Sequence, residues 1–112
     1  TDATFTGTTT TYLAFNNQTA SYTLVLADAG KAVEVNNASA NTLTVPPNSS
    51  VAFPTGTQII VFQQGAGATT ITAGAGVTLR SKDSNLAVDG QYASVALIKR
   101  DTDEWYVIGA LA

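Results

Sequence analysis

The chain has 112 residues, a net charge of −3 at pH 7, and neither cysteine nor histidine. This length provides one hydrophobic core and predicts a single domain. The missing residue types exclude disulfides, thiolate or imidazole metal sites, and catalysis by a Ser-His-Asp or Cys-His arrangement. Only 12% of the residues are charged and no basic cluster exceeds Lys99-Arg100, so the electrostatic pattern of a nucleic-acid-binding protein is absent.

The surface must be built largely from threonine, serine, asparagine, glutamine and glycine, because charged residues are scarce. Such a surface favours packing against other protein, since little electrostatic repulsion opposes association. The longest strongly apolar runs are much shorter than a bilayer span. They lie at residues 24–27, 59–62 and 95–98. We therefore expect neither a membrane nor a nucleic acid as partner.

The first 20 residues differ in composition from the rest of the chain. Threonine dominates residues 1–11, where Phe5 is the one large apolar side chain. This composition predicts an extended arm over residues 1–20 that lies against a neighbouring subunit, followed by a β domain over residues 21–112. The alternative interpretation of the first residues is a frayed chain end.

Short runs rich in β-branched and aromatic residues follow the arm and predict strands. The run at residues 22–26, a turn at residues 28–30 and the alternating run at residues 31–36 together predict a β-hairpin. A further strand is predicted at residues 42–45, because Pro46-Pro47 ends it. Another short strand is predicted at residues 51–53.

The strongest strand signal comes from residues 57–63, which contain the apolar run Ile59 to Phe62. A continuous apolar run indicates burial on both faces, or burial on one face and a partner on the other. The remaining strands are predicted at residues 68–73, 77–79, 91–99 and 104–108. Roughly eight to ten short strands predict an all-β fold. We expect a compact, jelly-roll-like β-sandwich, with a partly open barrel as the alternative.

Several motifs between residues 22 and 111 form a recognisable series. They are Tyr22-Thr23-Leu24 with Asp28 and Gly30, Leu43-Thr44-Val45-Pro46-Pro47-Asn48, Phe53-Pro54 with Gly56-Thr57, Gln64-Gly65-Ala66-Gly67, Gly76-Val77-Thr78-Leu79, Tyr92 with Leu97-Ile98-Lys99, and Trp105 with Gly109. In this pattern the chain resembles a small β domain of bacteriophage virion proteins, which occurs in tail fibres and in head-surface proteins. The resemblance implies an all-β fold, a location in the virion and homo-oligomers, commonly trimers.

The resemblance leaves two functions open, and the short arm favours the first. A tail fibre needs a shaft and a separate attachment region, whereas a capsid decoration protein needs neither. We therefore expect a homotrimer that binds the major capsid protein on the outer head surface and stabilises the shell. The candidate contacts with the capsid or between subunits are Thr1, Phe5, Thr8, Thr11, Ile59, Ile60 and Phe62.

The alternative is the receptor-binding domain of a tail fibre, with a cell-surface glycan as partner. Aromatic side chains beside polar neighbours suit stacking on sugars, and the candidates are Tyr92, Trp105 and Tyr106. Trp105 and Tyr106 point to opposite faces of the predicted last strand, so at least one of them is expected to face solvent or a neighbour.

Signals for catalysis or metal binding are weak. The acidic residues lie in or beside predicted turns, where turn geometry alone explains them. They are Asp28, Asp83, Asp89, Asp101, Asp103 and Glu104. Residues 101–104 carry oxygen ligands of the kind calcium prefers, but they lack the length and the glycine of a known calcium loop. The sequence thus predicts a virion protein that is not an enzyme and uses no cofactor or metal.

Overall fold

The structure, a computed structural model, describes residues 12–112. In this part of the chain it contains nine strands and two 3-10 turns, at Leu26–Asp28 and Lys82–Ser84. The strands are β1 (Phe15–Gln18), β2 (Tyr22–Thr23), β3 (Ala32–Val35), β4 (Asn41–Val45), β5 (Gln58–Gln63), β6 (Thr69–Ala73), β7 (Thr78–Arg80), β8 (Ser94–Asp101) and β9 (Glu104–Gly109). The predicted all-β fold is confirmed. Among these residues no helix has the length and apolar character needed to cross a bilayer.

The strands form two sheets. One sheet has six strands in the order β1-β3-β5-β8-β9-β7, and the other has three in the order β2-β4-β6. The first six strands alternate between the sheets, and β1 to β4 each pair in parallel with the strand two positions later. The chain therefore winds in coils, each of which contributes one strand to each sheet. An antiparallel hairpin, β8-β9, completes the large sheet, as predicted for the last pair of strands.

The predicted hairpin of residues 22–26 and 31–36 is wrong. The strand β2 pairs with β4 in the small sheet, whereas β3 lies between β1 and β5 in the large sheet. The chain passes from one sheet to the other at the turn around Gly30, whose backbone N–H donates to the carbonyl of Gln58 at 2.9 Å. This parallel, coiled connectivity differs from that of a jelly roll, whose neighbouring strands run antiparallel.

Two other local features differ from the sequence pattern. Residues 51–53 form no strand, and Phe53 instead extends from a loop into the core. Within the predicted arm, Phe15–Gln18 forms the edge strand β1 of the large sheet. Residues 1–11 of the predicted arm lie outside the described part of the chain.

The core lies between the two sheets and takes side chains from both. Along β5, Ile59 and Val61 face this core whereas Ile60 and Phe62 face away from it. This alternation follows from the two-residue period of a strand. The buried apolar cluster comprises Leu24, Val33, Val35, Leu43, Val45, Phe53, Ile59, Val61, Ile71, Val88, Val95, Leu97, Trp105 and Val107.

Glycine residues in the turns allow successive coils to approach each other closely. Ala32 pairs with Ile60 and Asn41 pairs with Thr69, an offset of 28 residues in both cases. The turn between β5 and β6 therefore stacks on the turn between β3 and β4. A Cβ atom on Gly67 would overlap the backbone carbonyl of Ser39. The stack is also joined by polar groups, since the Thr69 hydroxyl donates to Asn41 Oδ1 at 2.7 Å.

Candidate interaction surface

The side of the six-stranded sheet that faces away from the core, here called the outer face, carries an apolar row. Its residues are successive pairing partners across five strands. They are Phe15, Ala32, Ile60, Ala96 and Ile108. Side chains that are paired in register on one face lie side by side. The row therefore forms an apolar band from β1 to β9, in which Ala32 is already fully buried by its neighbours.

Large side chains beside this row widen the apolar band. In the next row of paired residues, which contains Glu34, Phe62 stacks on Phe15 with 6.4 Å between the ring centroids. In the row on the other side of the apolar row, Ile98 pairs with Tyr106 across β8 and β9. Phe15 is 53% exposed although it belongs to a sheet. A contiguous apolar surface of this kind usually marks a protein contact.

The charged groups of the outer face are distributed unevenly. At the β7–β9 side, Arg80 and Arg100 both donate to Glu104, at 2.9 and 2.7 Å. The hydrogen bond from Arg80, with the two positive charges, lowers the pKa of the Glu104 carboxyl. On the opposite side of the apolar row, Glu34 is the neighbour of Phe62. One side of the face thus carries an excess of positive charge, and the other carries a carboxylate.

The structure separates the predicted contact residues into three groups. Ile60 and Phe62 lie on the outer face, as a role in association requires. The prediction for Ile59 is wrong, because its side chain is fully buried in the core and cannot touch another protein. The arm candidates Thr1, Phe5, Thr8 and Thr11 lie outside the described residues.

The predicted glycan contacts are also divided. Trp105 is only 1% exposed and packs edge-on against Phe53, with 5.5 Å between ring centroids, so its assignment to a glycan contact is wrong. Tyr106 lies on the outer face. Tyr92 is 75% exposed and borders a shallow pocket, which is lined by Glu34, Phe62, Gln63, Gln64 and Tyr92.

The acidic residues do not form a metal site in the described part of the chain. Asp28 is buried and has three donors: Asn16 Nδ2 at 2.8 Å, the Tyr22 hydroxyl at 2.7 Å and the Val25 backbone N–H at 2.9 Å. Burial, followed by the hydrogen bond to Asp28, raises the pKa of the Tyr22 hydroxyl. Three donors satisfy the hydrogen-bonding needs of a carboxylate. Asp28 is therefore a structural residue that connects β1 to β2 and to the turn that follows β2.

Sequence reasoning missed a second polar site, formed by the buried Lys99 and the partly exposed Asn48 and Asp103. Lys99 is 3% exposed, and its Nζ donates to Asn48 Oδ1 and to the carbonyl of Phe53, both at 2.6 Å. The backbone N–H of Asn48 donates to Asp103 Oδ1, also at 2.6 Å. Alternation along β8 places Lys99 on the same face as the buried Leu97, and this was the signal in the sequence.

No known family, curated protein or solved structure matches this chain. Its function must therefore be argued from its own residues. Within residues 12–112 the geometry presents an extended apolar sheet face, a shallow aromatic pocket beside it, and hydrogen-bonded polar clusters around Asp28 and Lys99. A contiguous apolar face is typical of a surface that associates with other protein.

Proposed function

We propose that this chain is a bacteriophage capsid decoration protein, a homotrimer that assembles through its outer face and binds the major capsid protein. The apolar row from Phe15 to Ile108 is the observation that carries the proposal. This row would be buried from water in an oligomer, and burial of apolar surface is the main driving force of association. The sequence resemblance to phage virion domains supports the location and the trimer.

The charges of the outer face favour a second copy as the partner. In a cyclic trimer, one side of each contact surface packs against the other side of the next copy. The side with Arg80 and Arg100 would then approach the side with Glu34, so that opposite charges meet around the apolar row. Two copies that met with the same side would place like charges together.

A decoration protein stabilises the capsid by mass action. A ligand that binds the assembled shell, and not its loosened form, shifts the equilibrium toward the shell. The trimer brings three identical contacts to the shell at once, which raises the overall affinity without strengthening any one contact. In this proposal the threonine-rich residues 1–11 contact the capsid, and the outer face contacts the other subunits.

Replacing Ile60 with lysine tests the subunit interface. We expect the variant to dissociate into monomers, with affinity weakened at least about tenfold, because each tenfold corresponds to about 1.4 kcal/mol and a buried unpaired charge costs at least that much. Light scattering after size exclusion measures the change. The matched control is Leu26→Lys, an exposed apolar residue outside the outer face, which should remain trimeric. A monomeric wild-type chain, or a trimeric Ile60→Lys variant with unchanged affinity, would contradict the interface.

The receptor-binding domain of a tail fibre is the second candidate, and the exposed Tyr92 beside Glu34 and Gln64 favours it. Aromatic faces with neighbouring polar groups suit sugars. Quantitative mass spectrometry of purified particles separates the two functions. We expect a copy number comparable to that of the major capsid protein. A sparse count, with glycan binding that Tyr92→Ala abolishes and Tyr12→Ala preserves, would assign the chain to a fibre instead.

A further inference from the structure

Lys99 occupies an unusual position for a lysine. It projects from β8 into the core, directly opposite Trp105 on β9. Both oxygens that Nζ contacts, Asn48 Oδ1 and the Phe53 carbonyl, belong to neutral groups. Within residues 12–112 no carboxylate oxygen lies within 4.0 Å of this nitrogen. A buried ammonium group without a counter-charge is costly, even when it is hydrogen-bonded.

We propose that Lys99 and Asn48 form an intramolecular isopeptide bond. The amine nitrogen contacts the side-chain oxygen of Asn48 at 2.6 Å, and the carbon that it would attack is bonded to that oxygen. Holding two reacting groups in contact removes most of the entropic barrier to their reaction. The product is a neutral amide, so the reaction also removes the uncompensated charge from the core.

The reaction needs no oxidant or other reagent. Lys99 gives up a proton, and the lone pair on Nζ attacks the Cγ atom of Asn48. The bond between Nζ and Cγ forms, and the bond between Cγ and Nδ2 breaks. The departing nitrogen takes up the proton released by Lys99 and the proton lost from Nζ as the amide forms, and it leaves as an ammonium ion. One ammonium group and one amide thus become one amide and one free ammonium ion.

The surroundings of the pair support this chemistry. Asp103 accepts the backbone N–H of Asn48 at 2.6 Å, so it is a positioning residue that holds the loop carrying Asn48 against Lys99. Phe53 fixes the amine through its carbonyl. The rings of Phe53 and Trp105 pack against each other and cover the Lys99 side chain, which is 3% exposed.

The bond would cross-link the loop after β4 to β8. Asn48 and Lys99 are 51 residues apart in the sequence. A cross-link over such a separation stabilises the native state by restricting the unfolded chain. A protein without cysteine has no disulfide for this purpose. The inference does not depend on the proposed function, because it concerns the core and not the outer face.

Intact mass under denaturing conditions tests the proposal on the full wild-type chain. We expect the mass calculated from the sequence less one ammonia, and, after protease digestion, a branched peptide that joins Asn48 to Lys99. The mass calculated from the sequence would overturn the proposal. So would loss of ammonia without the branched peptide, because a succinimide at another asparagine produces the same change in mass.

Two variants sharpen the result. Asn48→Asp should lose water instead of ammonia and give the same cross-linked product as the wild-type chain. Asp103→Asn should slow cross-linking at least severalfold, because a neutral amide oxygen accepts the Asn48 N–H more weakly than a carboxylate does. Asparagine keeps the backbone geometry, because it tolerates the positive φ of 55° at this position. Complete and equally fast cross-linking in Asp103→Asn would overturn the role of Asp103.

Discussion

Replacing Trp105 with alanine is expected to lower the free energy of unfolding by about 3–5 kcal/mol. The indole is 1% exposed and lies edge-on to Phe53, which comes from a loop rather than from a strand. Truncation would therefore leave a cavity where the large sheet meets that loop. It would also remove the side chain opposite Lys99 and let water reach the buried end of that lysine. Urea unfolding followed by circular dichroism measures the change.

Tyr106→Ala is the matched control for this experiment. Tyr106 is the next residue on the same strand and points to the outer face, where it accepts a hydrogen bond from Arg100 Nε at 3.0 Å. With both substitutions made in the Ile60→Lys background, in which the outer face is exposed to water, loss of this bond should cost no more than about 1 kcal/mol. Equal destabilisation by the two substitutions would show that the alternation of β9 is misassigned, and with it the division between core and outer face.

The sequence predicted the strands well because the evidence for them is local. Alternation along β9 and the apolar run in β5 depend only on neighbouring residues, and the turn between β8 and β9 is short enough to define its own hairpin. Which face of a strand is buried depends on the rest of the fold. For this reason Tyr106 and Trp105 were equal candidates for a surface role, and Ile59 was grouped with Ile60 and Phe62.

The pairing of strands is not a local property, and there the prediction failed. The alternation of residues 31–36 indicates one buried face but does not identify the neighbouring strand. The missed signal was internal repetition. Asn41-Thr42-Leu43-Thr44-Val45 and Thr69-Thr70-Ile71-Thr72-Ala73 are similar in type and occupy equivalent positions in successive coils. A repeat at this spacing indicates stacked coils rather than hairpins.

The candidate sites likewise divide into one that the local sequence predicted and one that only the fold creates. The sequence placed Phe62 and Ile60 in an association surface because a fully apolar run exceeds what one core can bury. It offered no means of joining Asn48 to Lys99, since 51 residues separate them and neither belongs to a motif with its own chemistry. The coiled connectivity brings the loop after β4 against the end of β8, and only the fold creates this contact.

Gly67→Ala is expected to destabilise the protein by about 3 kcal/mol or more, because the new methyl group would meet backbone atoms of the preceding coil. It would overlap the Ser39 carbonyl and lie 2.8 Å from the carbonyl oxygen of Asn37. Neither atom moves without separating the coils. Gly67 has no positive φ, so its backbone conformation alone does not require glycine. Thermal unfolding of the purified variant measures the effect.

The sign of this change distinguishes stacked coils from any looser arrangement. At a site whose backbone accepts alanine, the substitution Gly→Ala stabilises a protein by about 0.4–1 kcal/mol, because it restricts the unfolded chain. Only the contact with Asn37 and Ser39 reverses that expectation. Ala66→Ser, in the same turn but exposed, should change stability by no more than about 0.5 kcal/mol. A stabilised Gly67→Ala variant would therefore disprove the close approach of the turns, and with it the parallel winding that places the apolar row on one face.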